Sequence, residues 1–198
     1  MSLISTADLA ARLDDPTLRI ADCRWYLGDG DRGRRAYADA HIPGALHVDL
    51  ERDLSRFPGP GRHPLPGRQV FAERLGALGI GDRHTVVAYD DRSGAVASRL
   101  WWMLRDVGHR DVAVLDGGLE AWLAEGRPVT ADVPSHGPAA LTVRPGPTRS
   151  IDRTGIAAAE GGLVLLDARA PERYRGETEP IDPLAGHIPG ARSAPLDG

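Results

Sequence analysis

The pentapeptide HIPGA occupies residues 41–45 and occurs again at residues 187–191. Longer segments repeat around it in the same order. When the sequence is shifted by 145 positions, LRIAD (18–22) falls on LVLLD (163–167), and one inserted residue then aligns the two HIPGA motifs. An ordered series of helix-like segment, apolar run, acid and HIPGA at a nearly constant offset indicates two copies of one domain.

The first copy alternates segments with strand and helix patterns. The predicted strands are LRIADCR (18–24), ALHVDL (45–50), TVVAYDD (85–91) and DVAVLDGG (111–118). The predicted helices are ADLAARL (7–13), RRAYADA (34–40), QVFAERLGALGI (69–80), AVASRLWWMLRDVG (95–108) and LEAWLAEG (119–126). Strands separated by helices predict an α/β fold with a mainly parallel sheet and helices on both faces.

The repeat sets the domain organisation. We expect a first domain at residues 1–126 and the amino-terminal part of a second at 150–198. Residues 127–149 contain five prolines and no long apolar periodicity, which is typical of a connector. The counterpart of residues 53–126 is missing from the second copy, so its apolar run Leu163, Val164, Leu165 and Leu166 is expected to be exposed. Residues 150–198 are then expected to be loosely held or docked on the first domain.

Composition excludes several classes of function. The chain has 41% apolar and 26% charged residues and a net charge of −4, with both signs interspersed. This mixture gives no reason to expect a nucleic acid or a membrane surface as partner. No apolar run reaches the roughly 18 residues of a membrane span, and no leader pattern is present, so a cytoplasmic location is expected. Cys23 is the single cysteine, and no metal-ligand spacing is present.

The segment TVVAYDDRSGAVASRLWW predicts a strand, a short loop and a helix. Successive loop N–H groups and the helix start can converge on an anion at such a place. A cysteine at the end of the strand would be activated there. The sequence has Asp90 and Asp91 at this point. Ser93 is the only hydroxyl of the loop, but DRSGA lacks the G-x-S-x-G pattern, so a serine nucleophile is disfavoured.

The motifs together resemble the tandem-domain rhodanese family, the thiosulfate and 3-mercaptopyruvate sulfurtransferases. The motifs that carry this resemblance are WYLGDG, AYADAHIPGA, VVAYDD with SRLWWMLRDVGHRDVAVLDGGLEAW, and DARAPERYRGETEPIDPLAGHIPGA. The resemblance covers nearly the whole chain. It implies a catalytically silent first domain, with Asp90 at the cysteine position. It further implies a second domain whose cysteine carries a persulfide, and no cofactor.

In the second copy, that cysteine would follow the strand equivalent to VVAYDD, and this strand is expected beyond residue 198. We therefore expect the chain to be part of an enzyme of roughly 270 to 290 residues and to be inactive alone. Its small-molecule partners would be a sulfur donor and a thiol or cyanide acceptor. The sequence leaves the oligomeric state open.

The resemblance also assigns candidate site residues. Arg173, in the R-Y-R-G segment, would contact the anionic end of the donor, because a guanidinium suits carboxylate and sulfonate-like oxygens. The alternative is a surface ion pair with Glu172 or Glu177. Trp25 would line the pocket of the second domain, with a core position as the alternative.

The resemblance further implies a candidate role for His41, because this histidine has been suspected of proton transfer in the mercaptopyruvate branch of the family. Because the motif is duplicated while catalysis is not, His41 and His187 are better explained as braces of the HIPGA turn. Asp22 and Asp167 end equivalent strands and are expected to fix loop backbone, with Asp167 near the pocket. Cys23 follows Asp22 and is expected to be packed and inert, although a role as sulfur carrier stays open.

Three functions are compatible with these residues. A sulfurtransferase is favoured by the motifs. A non-catalytic rhodanese-like binding or regulatory module is the alternative. A phosphatase of the same architecture needs a loop with a Cys, five residues and an Arg, and the sequence has none.

Overall fold

A computed structural model describes residues 2–56, 58–59, 61–147, 150–159 and 162–196. Contacts between Cα atoms divide the chain into two compact units, Met1–Arg149 and Ser150–Gly198. The finer division at residues 1–126, 127–149 and 150–198 stays a prediction.

The first unit is a five-stranded sheet with helices. Its elements are β1 (Leu3–Ile4), α1 (Thr6–Ala10), β2 (Leu18–Asp22), α2 (Arg32–Asp39), β3 (Ala45–His47), α3 (Arg68–Ala77), β4 (Thr85–Tyr89), α4 (Ala97–Asp106), β5 (Val112–Leu115) and α5 (Gly118–Ala124). The strand order is β1-β5-β4-β2-β3, and every neighbouring pair is parallel. The predicted α/β class is confirmed.

Apolar residues fill both sides of this sheet. Along β4, Val86 and Ala88 belong to the core layer that contains residues of α3 and α4, whereas Val87 and Tyr89 belong to the layer that contains residues of α1 and α5. This alternation follows from the period of two residues in a strand. A strand buried on both faces reads as a continuous apolar run, which explains the TVVAY pattern.

Two features of the first unit differ from the sequence expectation. The two-residue strand β1 was not predicted, and it pairs with β5 at the end of the sheet. Part of the predicted connector packs against the first unit, where Leu141 is buried in the layer of α3 and α4. The backbone N–H of Ala139 donates to the Gly76 carbonyl at 2.9 Å.

The second unit repeats the beginning of the first. Its elements are α6 (Arg153–Ala158), β6 (Leu166–Asp167), α7 (Pro171–Arg175) and β7 (Arg192–Ser193). The parallel register of β6 and β7 joins Leu166 to Arg192 and Asp167 to Ser193. The same register joins the corresponding positions of β2 and β3. The structure therefore carries the sequence repeat into the strand pairing.

The expected exposure of the second apolar run is largely confirmed. Leu163, Val164 and Leu166 are exposed, and Leu165 is half-buried. In the part of the chain that the structure describes, no helix combines the length and apolar character needed to cross a membrane.

Candidate functional site

The loop after β4 forms a cradle of backbone N–H groups around Asp90. One carboxylate oxygen, Oδ1, accepts from the N–H groups of Arg92 at 2.9 Å and Gly94 at 2.8 Å. The other, Oδ2, accepts from those of Val96 at 2.7 Å and Ala97 at 2.9 Å. The Asp90 residue is only 1% exposed. The anion cradle predicted from the sequence therefore exists, and its anion is the side chain of Asp90.

Local backbone conformation explains why this loop can close around a carboxylate. Ser93 and Gly94 both have positive φ angles, 53° and 84°, so successive N–H groups turn inward. The Asp90 carbonyl in turn accepts from the N–H of Leu119 at 2.9 Å. Gly118, with a φ of 57°, lies against that same carbonyl, and a Cβ there would be 2.4 Å from the oxygen. The glycine pair at the start of α5, Gly117 and Gly118, thus fixes the position of the cradle.

Cys23 directly follows β2 and lies in the core layer of α3 and α4. Its residue is fully buried, and Sγ is 3.7 Å from the Ala21 carbonyl oxygen. Burial raises the pKa of the Cys23 thiol well above its usual value, and the negative charges of Asp22, Asp90 and Asp53 act in the same direction. A buried thiol that resists ionisation is a poor nucleophile. The geometry agrees with the expectation of an inert cysteine.

Asp22 organises a buried network at the carboxyl end of β2. The Arg24 guanidinium binds its carboxylate from Nε at 3.0 Å and from Nη2 at 2.6 Å. Arg24 Nη2 also donates to the Ala40 carbonyl at 2.7 Å, which fixes the residue before HIPGA. The hydroxyl of Tyr89 donates to Asp22 at 2.7 Å. Burial and the nearby Asp22 charge raise the pKa of Tyr89.

The second unit reproduces this network. Arg169 Nη2 donates to Asp167 at 2.6 Å and to the Gly186 carbonyl, also at 2.6 Å. Gly186 is the residue before the second HIPGA. The hydrogen bond from Arg169 lowers the pKa of Asp167 to about 2. These equivalent contacts agree with the bracing role expected for Asp22 and Asp167, which stays a prediction.

The histidines of the two motifs also occupy equivalent places. His41 stacks on Tyr37 with ring centroids 4.0 Å apart, and His187 stacks on Tyr174 at 3.9 Å. In each pair the histidine Nδ1 is 2.7 Å from the carbonyl oxygen of the tyrosine. His41 Nε2 lies 3.1 Å from a second carbonyl, that of Asp132. With both nitrogens at carbonyl oxygens in a fully buried ring, His41 fits the role of a brace.

The single inserted residue of the sequence alignment is the net result of two length changes. Tyr37 precedes His41 by 4 residues, whereas Tyr174 precedes His187 by 13. The distance from the arginine to the residue before HIPGA changes only from 16 to 17 residues. In the second copy the segment between the tyrosine and HIPGA is therefore longer, and the segment between the arginine and the tyrosine is shorter by nearly the same amount. Sequence alignment alone did not reveal these two opposite changes in length.

Arg173 forms ion pairs, but with different acids from those expected. Its Nη2 donates to Glu179 Oε1 at 2.7 Å and to Asp182 Oδ2 at 2.9 Å. Glu172 and Glu177 do not take this place; Glu177 instead pairs with Arg175 at 2.6 Å. The Glu179 side chain is 5% exposed and also accepts from the N–H groups of Asp182 and Ile181. These bonds, that from Asp182 first, lower its pKa to about 2.

Glu179 is thus a partner of the candidate site residue Arg173 that sequence reasoning missed. It follows R-Y-R-G in the segment E-P-I-D-P, and an acid so close to two arginines was the available signal. Asp167 and His187 line one cavity of about 630 Å³ in the second unit, together with Arg169 and Leu184. Arg173 is not among its lining residues, but it is linked to Arg169 through Glu179.

Trp25 is half-buried in the first unit. Its ring packs edge-on against His63 at 4.9 Å and its Nε1 donates to Glu51 at 3.3 Å. It also packs against the core layer of α3 and α4. Among the described residues, no group of three or more His, Cys, Asp or Glu side chains is arranged to hold a metal ion.

Comparison with known proteins places these features in a family. A model of the rhodanese-like domain matches residues 5–125. A Pseudomonas aeruginosa protein named "Probable 3-mercaptopyruvate sulfurtransferase" is 49% identical over 198 residues, which cover 97% of this chain and 70% of the relative. The thiosulfate sulfurtransferase of Azotobacter vinelandii is 40% identical over 96% of this chain and 67% of the relative.

A solved structure agrees with the sequence relatives. The crystal structure of SseA from Escherichia coli, described as a 3-mercaptopyruvate sulfotransferase with the rhodanese fold, matches with a TM-score of 0.87. The match has 30% identity and covers 98% of this chain and 75% of that one. The chain therefore belongs to the rhodanese family, and its relatives are thiosulfate and 3-mercaptopyruvate sulfurtransferases.

Proposed function

We propose that the protein is a sulfurtransferase that moves sulfane sulfur from thiosulfate or 3-mercaptopyruvate to a thiol or to cyanide. The support is the sequence identity to sulfurtransferases of both kinds over nearly the whole chain. The reaction would begin when a cysteine thiolate attacks the outer sulfur of thiosulfate. The S–S bond breaks, sulfite leaves, and the sulfur remains on the enzyme as a persulfide. Attack by cyanide then yields thiocyanate and regenerates the thiolate.

We further propose that the thiol that carries this persulfide is not among the 198 residues. The observation that carries this proposal is the carboxylate of Asp90 in the N–H cradle. A cradle already occupied by an internal anion has no room for a sulfur nucleophile. Cys23 is the only cysteine, and its burial and raised pKa argue against it as a substitute. These residues alone would then have no turnover.

Arg173 is proposed to bind the anionic end of the donor. Its Nε and Nη2 already serve Glu179 and Asp182, so a donor anion would use Nη1 or compete with these acids. Asp167 is proposed to support the site through Arg169, and Trp25 to line it. For His41, the two carbonyl contacts favour a bracing role over proton transfer.

A non-catalytic rhodanese-like binding module is the second candidate. The same two observations favour it, because a filled cradle and a buried thiol leave these residues without a nucleophile. The predicted cytoplasmic location applies to both candidates, and cell fractionation tests it.

A thiocyanate assay separates the two candidates. The 198-residue chain and any longer reading frame that contains it are incubated with cyanide and either thiosulfate or 3-mercaptopyruvate. We expect thiocyanate from the longer protein and none from the 198 residues. Inactivity of both would favour the binding module. Turnover by the 198 residues that survives Cys23→Ser would contradict the proposed position of the nucleophile.

A further inference from the structure

A cavity of about 480 Å³ lies at the opposite edge of the first sheet from Asp90. It is near the amino ends of β2 and β4, between residues 81–84 and residues 137–140, with Arg19 in its wall. We call it the Arg19 cavity. Small residues of the connector, Pro138, Ala139 and Ala140, form its less polar side.

Arg19 is held rigidly in this wall. Its Nε donates to the Gly79 carbonyl at 2.9 Å, and its Nη1 donates to the carbonyls of Leu18 at 2.8 Å and Pro16 at 3.0 Å. Within the described residues, no carboxylate pairs with this guanidinium and Nη2 has no hydrogen-bond acceptor. Burial lowers the pKa of Arg19, and no nearby acid counters that effect. The positive charge is therefore fixed in position and uncompensated.

Two more cationic or protonatable groups line the same cavity. Arg83 is exposed and makes no ion pair with the described residues. His84 accepts the Gly81 N–H through Nδ1 at 2.9 Å, which leaves Nε2 as its donor. Burial lowers the pKa of His84, and the charges of Arg19 and Arg83, then of His136 and His109, lower it further. The potential around His84 is therefore positive.

The one acid that lines the cavity is already committed. Asp82 accepts from the Thr142 hydroxyl at 2.6 Å and from Arg144 Nη2 at 3.0 Å. These partners, Arg144 first, hold the pKa of Asp82 well below its usual value. Because Arg144 supplies a further positive charge, the pair does not neutralise Arg19 and Arg83.

The adjoining cavity shows an unmet hydrogen bond. It has a volume of about 310 Å³, shares Arg19 with the first cavity, and is also lined by His136. The Nε2 atom of His136 is buried without a partner in the described part of the chain. Buried polar atoms in native proteins rarely lack a partner, and the oxygens of a ligand bound beside Arg19 would supply one for this nitrogen.

We propose that the Arg19 cavity binds a small molecule bearing a phosphate or sulfate group. A planar guanidinium held by three carbonyls presents its remaining N–H groups to oxyanions without further loss of side-chain entropy. Arg83 and His84 line the same cavity and add further donors. The volume exceeds that of a single oxyanion, and the alanine and proline side chains offer contact to an organic group.

Titration followed by NMR tests the proposal on the intact chain. Inorganic phosphate, inorganic sulfate and glycerol 3-phosphate are added separately, with sodium chloride used to hold the ionic strength constant. We expect saturable shifts confined to the amides of residues 79–84 and 136–140, and a rise in the pKa of His84. Tighter binding of the ester assigns an organic phosphate, and equal binding assigns the free ion. Shifts that do not saturate, or that chloride reproduces, overturn the proposal.

Variants locate the binding groups. Arg83→Gln removes a side chain that has no partner among the residues that the structure describes, and it is expected to raise the Kd for phosphate by about three- to tenfold. His84→Gln is expected to have an effect of similar size. Arg52→Gln is the matched control, because Arg52 is exposed, has no side-chain partner among the described residues and follows β3 at the other edge of the sheet. An unchanged Kd in both cavity variants, or an equal loss in the control, rules the site out.

Discussion

At the scale of single residues, Asp90 determines what the loop after β4 can do. Four N–H groups converge on its two oxygens, and each oxygen accepts two of them. Hydrogen bonds to a charged acceptor stabilise a protein by more than neutral ones, and buried donors without a partner are costly. The carboxylate therefore stabilises a loop geometry that would otherwise need an external anion.

Replacing Asp90 should separate its charge from its shape. In Asp90→Asn the amide NH₂ faces two backbone donors, so we expect a loss of about 1–3 kcal/mol in the free energy of unfolding. Asp90→Ala leaves four donors without a partner and should cost about 2–4 kcal/mol. Urea unfolding followed by tryptophan fluorescence measures both. The exposed Asp116→Asn is the control, and a cost there equal to that at Asp90 would argue against the cradle.

The reactivity of Cys23 provides a second test at this scale. The buried thiol has a raised pKa, and each pKa unit of increase lowers the fraction of thiolate at neutral pH about tenfold. We expect iodoacetamide to label native Cys23 only as fast as the first unit opens, so labelling should accelerate in urea in parallel with unfolding. Fast labelling in native buffer would instead revive Cys23 as a sulfur carrier.

At the scale of helices and strands, the sequence predicted most of the first unit. Long apolar patterns such as TVVAY and SRLWWMLRDVG specify burial on their own, and the corresponding β4 and α4 are confirmed. The two-residue strand β1 was missed because so short a segment carries no periodicity and depends on its pairing with β5. Predicted site positions such as Asp90 could be placed from strand ends, but the partners of Arg173 depend on a loop fold that no local pattern encodes.

The start of α5 offers a test of element placement. Gly118→Ala forces a left-handed alanine and places its Cβ 2.4 Å from the Asp90 carbonyl oxygen, so we expect a loss of about 3 kcal/mol or more. Gly126, just after the same helix, has a φ of 67°, and no atom lies within 4 Å of the position that a Cβ would take there. Gly126→Ala should therefore cost only about 1–2 kcal/mol. Similar losses in both variants, measured by urea unfolding, would show that the close approach to Asp90 is unimportant.

At the scale of the whole chain, the two units differ in how much apolar surface they bury. The first has a core layer on each face of its sheet. In the second, Ala191 alone among the described residues is buried, and neither α6 nor α7 contributes a buried residue. The second unit instead contains hydrogen bonds between charged side chains. Arg169 binds Asp167, and Arg173 binds Glu179. The two units should therefore respond differently to pH.

The first unit should lose stability in mild acid. Burial lowers the folded-state pKa of His63, His84, His109 and His136 below the ordinary value of 6.5. The unfolded chain then takes up protons first, so this stability is present above about pH 6.5 and declines below it. All four tryptophans belong to this unit, so fluorescence in urea at pH 7.5 and 5 reports on it. An unchanged midpoint would contradict the histidine assignment.

The second unit should respond at lower pH. The pKa of Glu179 and of Asp167 is about 2 in the folded chain. Because unfolded Glu and Asp titrate near 4, their contribution is fully present above about pH 4 and is lost as the pH falls toward 2. The amide signals of residues 165–193, followed by NMR from pH 5 to 2, measure this loss. Arg173→Gln should shift it to higher pH, and an unshifted transition would contradict the role of the ion pair.

Hydrogen exchange tests the difference in burial directly. Short helices and two-residue strands are only marginally stable without tertiary packing, and packing in the described part of residues 150–198 is sparse. We therefore expect the amides of β6 and β7 to exchange by local opening, much faster than those of β4 in the first unit. The internal control is β3, a three-residue strand at the end of its sheet whose Ala45 and Leu46 are buried. If β3 is protected while β6 and β7 are not, burial and not strand length explains the result; protection of β6 equal to that of β4 would show that the second unit is stabilised by interactions beyond its own sparse core.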